Sequence, residues 1–271
     1  FNHCFFTCKY IMEIATPKLL IDYANRFETE AFIEGDPSWF MHQVEGRLNQ
    51  ETMAFIASCL SYGSRRQFLP KIHSLLTNSR NNPYEWVRSG AFKEDIPDNN
   101  RCFYRLYNNH TMYVFLLSLQ HLFITYGSLG EFAACHARVG CTANGDALNV
   151  LMAMSDYFKN KGITGIVSRP ITSLCKRQCM FLRWMVRDHS PVDLGLWADA
   201  IDKASLYVPM DTHVLQTARQ LNLVTTRTAS WRTAVALTQQ MAQVFPGDPA
   251  RGDFALYGAH ALAGHPNFAE S

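Results

Sequence analysis

Residues 206–223 carry the clearest chemical potential in the sequence. Pro209 favours an extended backbone and has no N–H group, so a helix from upstream cannot continue through it. Asp211 follows at the position of an N-cap, and apolar residues from Val214 to Leu221 then recur at helical spacing. A carboxylate at a helix N-terminus is oriented by backbone N–H groups and stabilised in its charged form. Asp211 is therefore a candidate catalytic carboxylate; the simpler alternative is that it only caps the helix.

A second candidate stretch, residues 168–187, is the most basic part of the chain. Its apolar spacing predicts a helix, and Cys175 and Cys179, one turn apart, are read as packing residues. Its five basic residues precede the first acid, Asp188; they are Arg169, Lys176, Arg177, Arg183 and Arg187. This charge favours contacts with phosphate groups, and the alternative is a solvated helix face.

The end of a predicted buried helix over residues 49–63 supplies further candidates. Arg65 and Arg66 follow Ser64 there, and two guanidiniums beside a hydroxyl at a helix junction favour phosphate contacts. An ordinary solvated turn is the alternative. Tyr62 could stack on bases or act as a wedge in DNA, or it could simply pack in the core.

Two sequence patterns resemble known families. Pro-x-Asp-Thr-His-Val at 209–214 resembles the helix-hairpin-helix superfamily of base-excision DNA glycosylases, in which this aspartate is the catalytic carboxylate. With Phe-Leu-Arg-Trp-Met-Val-Arg at 181–187 and Asp-Leu-Gly-Leu-Trp at 193–197, it is also similar to an uncharacterised bacterial domain-of-unknown-function family over most of the chain. The Leu-Pro-Gly-Val-Gly hairpin of the superfamily is missing, since residues 168–173 read Ser-Arg-Pro-Ile-Thr-Ser.

Within the superfamily the pattern is closest to the archaeal 8-oxoguanine glycosylase/lyase, where a lysine that opens a helix lies at a similar distance before the aspartate. Lys176 precedes Asp211 by 35 positions. The resemblance implies that Asp211 stabilises the cationic sugar carbon as a base leaves, and that Lys176 attacks it to form a Schiff base. We expect neighbouring arginines to favour the neutral amine. Arg177 could instead occupy the lysine's position, and Lys176 could be only a phosphate contact.

The last predicted helix and His213 complete the candidate site. Asp253 and Tyr257 are four residues apart on one helix face, and the resemblance implies that such a pair reads the base. The alternative for Asp253 is an N-cap. His213 lies one turn into its helix and is a further pocket candidate, with a hydrogen-bonded structural histidine as the alternative.

Cysteine content and charge limit the other function classes. The eight cysteines form no Cys-x-x-Cys motif, and the clustered cysteines of endonuclease III's iron–sulfur site are missing, so we predict no metal and no cofactor. Scattered cysteines are compatible with a reducing cytoplasm, here a bacterial one. No apolar run reaches the length of a membrane span. A net charge of +2 requires any nucleic-acid binding to come from a local patch.

We predict an all-α fold with two helical lobes and a cleft between them, like the glycosylases. Residues 1–11 are expected to be extraneous, and residues 12–271 to form a single domain whose lobes are not separable in sequence. We predict that the protein is a monomer that binds double-stranded DNA and excises a flipped damaged or modified base. The enzyme could also have abasic-site lyase activity. The alternatives are a non-catalytic DNA-binding protein of this fold and an enzyme acting on a nucleotide or modified base.

Overall fold

The computed structural model describes residues 17–137 and 146–263, and over these ranges the chain is mainly helical, as predicted. The α-helices of these ranges are α1 (17–27), α2 (Arg47–Leu60), α3 (Arg65–Asn78), α4 (Pro83–Arg88), α5 (Phe92–Asp95), α6 (Asn109–Tyr126), α7 (Leu129–Ala137), α8 (Asp146–Asn160), α9 (Lys176–Val186), α10 (Thr212–Gln220), α11 (Trp231–Val244) and α12 (Gly252–Ala263). Short 3₁₀ helices cover Glu30–Ile33, Pro37–His42, Lys203–Ser205 and Pro249–Arg251.

Between α5 and α6 the chain forms a β-hairpin that the sequence did not predict. Strand β1 (Cys102–Tyr104) pairs antiparallel with strand β2 (Tyr107–Asn108), and the turn residues are Arg105 and Leu106. Strands this short contain no alternation that periodicity could detect. The prediction of a chain without strands is corrected at this hairpin.

The larger of two hydrophobic clusters draws mainly on α2 to α9. Helix α2 lies at its centre because residues 51–60 are buried on every side of the helix. Phe55 of α2 contacts Phe115 of α6 and Phe158 of α8, with ring centroids 5.8 and 5.4 Å apart. It also contacts Phe181 of α9 at 5.1 Å. These ring contacts fix α9 against the centre of the larger cluster.

The smaller cluster joins α1 to the C-terminal helices α10, α11 and α12. Leu20 of α1 and Phe254 of α12 are both fully buried in it. Helices α11 and α12 approach closely, because a Cβ on Gly252 would lie only 2.5 Å from the side chain of Met241. Since this cluster combines the two ends of the chain, its boundary could not be read from the sequence.

Residues 193–201 form a short loop followed by turns. The backbone N–H groups of this segment donate to the last turn of α9. Leu194 N contacts the carbonyl oxygen of Trp184, and Trp197 N contacts that of Met185, each at 2.7 Å. Both tryptophans are buried, as predicted.

Some predictions concern residues outside the described ranges. These are the extraneous segment 1–11 and most of the small-residue linker predicted over 141–146. Within residues 17–137 and 146–263, no single helix is long and apolar enough to cross a membrane. Helices α6 and α7 would pass that test only as a pair, and they are bent by 67° at their junction.

Candidate functional site

A cavity of about 580 Å³ lies where the two hydrophobic clusters meet. One wall comes from the junction of α2 with α3 and from α9, and the other comes from α10, α12 and the segment 32–37. The predicted site residues that line it are Tyr62, Arg65, Lys176, Arg177, Arg183, Asp211, His213, Asp253 and Tyr257. Arg66 and Arg187 are not among its lining residues.

Lys176 and Asp211 meet in this cavity. Lys176 is the first residue of α9, which begins there because the buried Cys175 before it adopts a left-handed backbone with φ 51°. Asp211 is the N-cap of α10, as predicted, and its Oδ1 accepts from the N–H of Val214 at 2.8 Å. Lys176 Nζ donates to the other carboxylate oxygen, Oδ2, at 2.5 Å. The cap therefore orients one oxygen of Asp211 and leaves the second for the amine.

The electrostatics of the pair favour a charged carboxylate. Burial acts to raise the pKa of Asp211, but the positive charge and hydrogen bond of Lys176 outweigh it. The Val214 N–H and the nearby His213 act in the same direction, so the pKa of Asp211 is lowered. Lys176 and Asp211 remain accessible, with side-chain exposures of 38 % and 30 %. A ligand in the cavity can reach both groups.

One face of α12 supplies much of the opposite wall. Asp253, Tyr257 and His260 lie at i, i+4 and i+7 and all line the cavity. Tyr257 packs edge-to-face on Phe32, with centroids 5.0 Å apart. His260 lies 5.5 Å from the ring of His213, and both histidines are exposed. The wall therefore combines aromatic surface with polar groups, as a pocket for a planar heterocycle requires.

Asp253 is not an N-cap, which was the simpler reading of its sequence. It lies inside the first turn of α12, and one carboxylate oxygen forms an ion pair with Arg183. Burial raises the pKa of Asp253, against the opposing charges of Arg183 and Lys176. The side chain is therefore tied to α9 across the cavity wall.

Arg183 and Arg187 are corrections to the predicted phosphate surface. Each is only 2 % exposed, and both guanidiniums contact the fully buried carboxylate of Asp193. Arg187 also contacts Glu28 at 2.7 Å and Asp248 at 2.8 Å. Charges already enclosed by carboxylates cannot reach a nucleic-acid backbone. These arginines instead link α9 to the smaller cluster.

Because Arg183 and Arg187 form these ion pairs, the surroundings of the Lys176 amine differ from those predicted. We expected free arginines near Lys176, but Arg183 and Arg187 are neutralised by acids, and the direct partner of Lys176 is Asp211. The charge nearest the amine is thus negative.

Arg177 and Tyr62 are also more structural than predicted. Arg177 donates to the carbonyl oxygen of Cys59 near the end of α2, at 2.6 Å, and to that of Gly165 at 2.9 Å. Its guanidinium lies over the ring of Tyr62, 5.5 Å from the centroid. The Tyr62 ring also packs on Tyr104 at 5.1 Å. A wedge must project into solvent, and this packed ring does not.

Arg65 and Arg66 are the predicted phosphate contacts that remain exposed. Both lie at the start of α3, and Arg65 forms a 3.4 Å pair with Asp36 at the cavity edge. Asp36 itself caps the 3₁₀ helix Pro37–His42 through the N–H of Ser38. Arg65 and Arg66 thus remain available to a ligand at the cavity mouth.

Comparison with protein families matches residues 36–261 to a family described as a protein of unknown function, DUF2400. The chain belongs to the DUF2400 family. No curated protein and no solved structure matches it. The match confirms the resemblance to a domain of unknown function over most of the chain, and membership in DUF2400 names no activity. Among the described residues, no group of three or more histidine, cysteine, aspartate or glutamate side chains could hold a metal ion.

The sequence reasoning missed several cavity residues of this DUF2400 protein. His260 had a usable signal, because it extends the Asp253 and Tyr257 spacing by one turn. Phe32 had none, since it reaches the cavity from a short 3₁₀ helix far away in sequence. Thr217, buried on α10 with a hydroxyl that has no hydrogen-bond partner, also lines the wall. The sequence placed Thr217 in the helix after Asp211 but gave no sign that it lines a cavity.

Proposed function

We propose that the protein is a base-excision DNA N-glycosylase in which Lys176 and Asp211 are the reacting pair. The observation that carries the proposal is the 2.5 Å contact between their side chains in a cavity shared by both hydrophobic clusters. The two residues come from the starts of different helices, and both remain accessible to a ligand. The similarity of residues 209–214 to the glycosylase superfamily supports the same assignment.

The cavity suits a base that has left its stack. A volume of about 580 Å³ exceeds what one purine needs, and the mixed aromatic and polar wall offers both stacking and hydrogen bonds. Tyr257 and Phe32 supply the aromatic surface, and Asp253 and Thr217 supply polar groups. The sugar of the same nucleotide would then lie near the mouth, within reach of Lys176.

The chemistry requires only the two paired groups. Asp211 accepts a proton from the Lys176 ammonium, and the resulting amine attacks C1′ of the sugar. As the bond between C1′ and the base breaks, the proton held by Asp211 passes to the departing base, which leaves with the electron pair. Asp211 is then a carboxylate again and stabilises positive charge at the sugar carbon. The C1′–O4′ bond then opens, O4′ takes up a proton as the nitrogen loses one, and the imine forms. Loss of a proton from C2′ of this imine expels the 3′ phosphate and nicks the strand.

Borohydride trapping tests the proposal. Duplexes that carry 8-oxoguanine, uracil, hypoxanthine or an abasic site are incubated with wild type, Lys176→Gln and Asp211→Asn. We expect a covalent adduct that is lost in Lys176→Gln, and base release that falls about 10²- to 10³-fold in Asp211→Asn. Asparagine is as good an N-cap as aspartate, so α10 should stay intact.

The matched control is Lys203→Gln. Lys203 pairs with Asp188 at 2.5 Å, with side-chain exposures of 37 % and 35 %, and it does not line the cavity. Its variant should trap as wild type does. Base release without an adduct would indicate a monofunctional enzyme that uses water. The proposal fails if no duplex on the panel shows either an adduct or base release.

The second candidate is a non-catalytic DNA-binding protein of the same fold. The absence of the superfamily's Leu-Pro-Gly-Val-Gly hairpin at residues 168–173 and the modest net charge of +2 favour it. Duplex binding with no base release on any substrate would support it. Base release from free nucleosides alone would instead support an enzyme acting on nucleotides.

A further inference from the structure

The turn of the β-hairpin projects an apolar side chain beside the cavity. Leu106 is 86 % exposed, the largest exposure among the large hydrophobic side chains of the described ranges. Its backbone N–H donates to the hydroxyl of Tyr62 at 3.3 Å, and Tyr62 lines the cavity. The tip therefore lies one hydrogen bond away from the cavity wall.

Side-chain hydrogen bonds attach both strands of the hairpin to neighbouring parts of the protein. A two-stranded hairpin is marginally stable alone, so its contacts with other elements hold it in place. The Tyr104 hydroxyl donates to the carbonyl oxygen of Tyr62 at 2.5 Å. On the second strand, the Tyr107 hydroxyl accepts from Arg177 at 3.0 Å and donates to the carbonyl oxygen of Gly165 at 3.1 Å. These contacts fix the turn relative to α2 and α9.

The backbone around the tip is also shaped for this placement. Gly63 has φ 82°, and a Cβ there would lie 2.6 Å from the guanidinium of Arg105. Arg105 itself has φ 51°, a left-handed conformation that glycine or asparagine would adopt more easily in a tight turn. The chain thus places an arginine at a turn position where glycine or asparagine would cost less.

The charges around Leu106 select its partner. Arg105 lies next to it, and the exposed Arg65 and Arg66 follow Gly63 at the start of α3. A single protruding leucine among guanidiniums does not form the contiguous apolar patch that a protein interface or a lipid surface uses. It does match the apolar wedges that enter a base step while arginines bind the adjacent phosphates.

We propose that Leu106 inserts into the base stack of duplex DNA lying across the cavity mouth. Arg105, Arg65 and Arg66 hold the backbone on either side. Insertion fills the space left by the extruded nucleotide, and it removes the leucine from water. This inference rests on the proposed glycosylase function, since it supplies the step that delivers a base to the cavity. It assigns to Leu106 the wedge role that the packed ring of Tyr62 cannot perform.

A fluorescent duplex tests the inference without requiring catalysis. The probe carries 2-aminopurine next to a tetrahydrofuran abasic analogue, and its fluorescence rises when the base is unstacked. Wild type and Lys176→Gln should both give the rise at saturating protein. Leu106→Ala should lose it while keeping the melting temperature of wild type, because the side chain contributes little to the core. Leu106→Met, which keeps the volume, should retain most of it.

Ile124→Ala is the matched control, because Ile124 on α6 is 70 % exposed and does not line the cavity. It should behave as wild type. The inference is overturned if Leu106→Ala keeps the fluorescence rise, or if wild type binds the duplex without any rise. It is also overturned if Leu106→Ala instead loses binding to phosphatidylserine–phosphatidylcholine vesicles and leaves the duplex signal unchanged.

The two proposals fail in different ways. A rise that depends on Leu106, with no adduct and no base release on any substrate, would support the wedge and reject the glycosylase. Base release that depends on Asp211, with a Leu106→Ala rise equal to that of wild type, would support the glycosylase and reject the wedge.

Discussion

The two ends of α9 carry similar charges and have opposite environments. At its start, Lys176 is 38 % exposed and contacts one carboxylate, Asp211, in an open cavity. At its end, Arg183 and Arg187 are each 2 % exposed and are enclosed by four acids from distant segments. The basic residues of one helix are thus divided between an accessible cavity and a buried ion-pair network.

The difference follows from where α9 lies. Its last turns pass between the two hydrophobic clusters, so any charge there loses water and requires partners. Its first residue reaches the cavity, where water remains and where a pair can open. A side chain that must move or transfer a proton can do so only at the cavity end of α9. At the other end, each guanidinium is held by several buried partners.

The largest effect should come from removing a buried partner. Arg187→Met leaves Asp248 without its ion-pair partner and the buried Asp193 with Arg183 alone, and we expect a loss of about 3–5 kcal/mol in the free energy of unfolding. Lys176→Gln should cost at most about 1 kcal/mol, because its pair is partly exposed. Denaturant unfolding measures both. Equal costs for the two variants would contradict the contrast between the ends of α9.

An intermediate effect should appear in the acid dependence of stability. The pKa of Asp211 is lowered in the folded protein, so its stabilising contribution is present at neutral pH and is lost as pH falls below the unfolded value of about 4. In Lys176→Gln that pKa should rise, and the extra loss of stability on acidification should shrink. Carboxyl NMR titration follows the pKa directly. An unchanged titration of Asp211 would show that Lys176 does not set its charge.

The smallest effect concerns the exposed arginines. If Arg65 and Arg66 each neutralise one phosphate, alanine at either position should reduce the slope of log K against log salt by about 0.9 for duplex DNA. Arg88→Ala, an exposed arginine paired with Glu85 on α4, is the control and should leave the slope unchanged. Equal slopes for all variants and wild type would remove both residues from the binding surface.

Local chemistry made much of the site predictable. Asp211 follows a proline and precedes an apolar helix, and this pattern alone predicted the N-cap that the structure contains. Asp253 and Tyr257 were placed on one face by their spacing of four, and both face the cavity. Such predictions hold because they depend on residues a few positions apart.

The failures involve partners far away in sequence. Arg187 looked like a free charge because two of its three acidic partners, Glu28 and Asp248, lie more than fifty positions away on either side. For Tyr62 the sequence left both a wedge and core packing open, because the hairpin that packs on its ring is too short to predict. In both cases burial decides the role, and burial is a property of the assembled fold.

By itself, the sequence determined the helical class, the start of α10 and the candidate residues Lys176 and Asp211. These features follow from caps, prolines and apolar spacing, which act over a few residues. Only the tertiary structure decided that Lys176 and Asp211, 35 positions apart, lie 2.5 Å from each other while Arg183 and Arg187 are closed to solvent. The reason is that the two hydrophobic clusters are built from alternating parts of the chain. Their packing decides which charged side chains form ion pairs and which remain exposed to solvent.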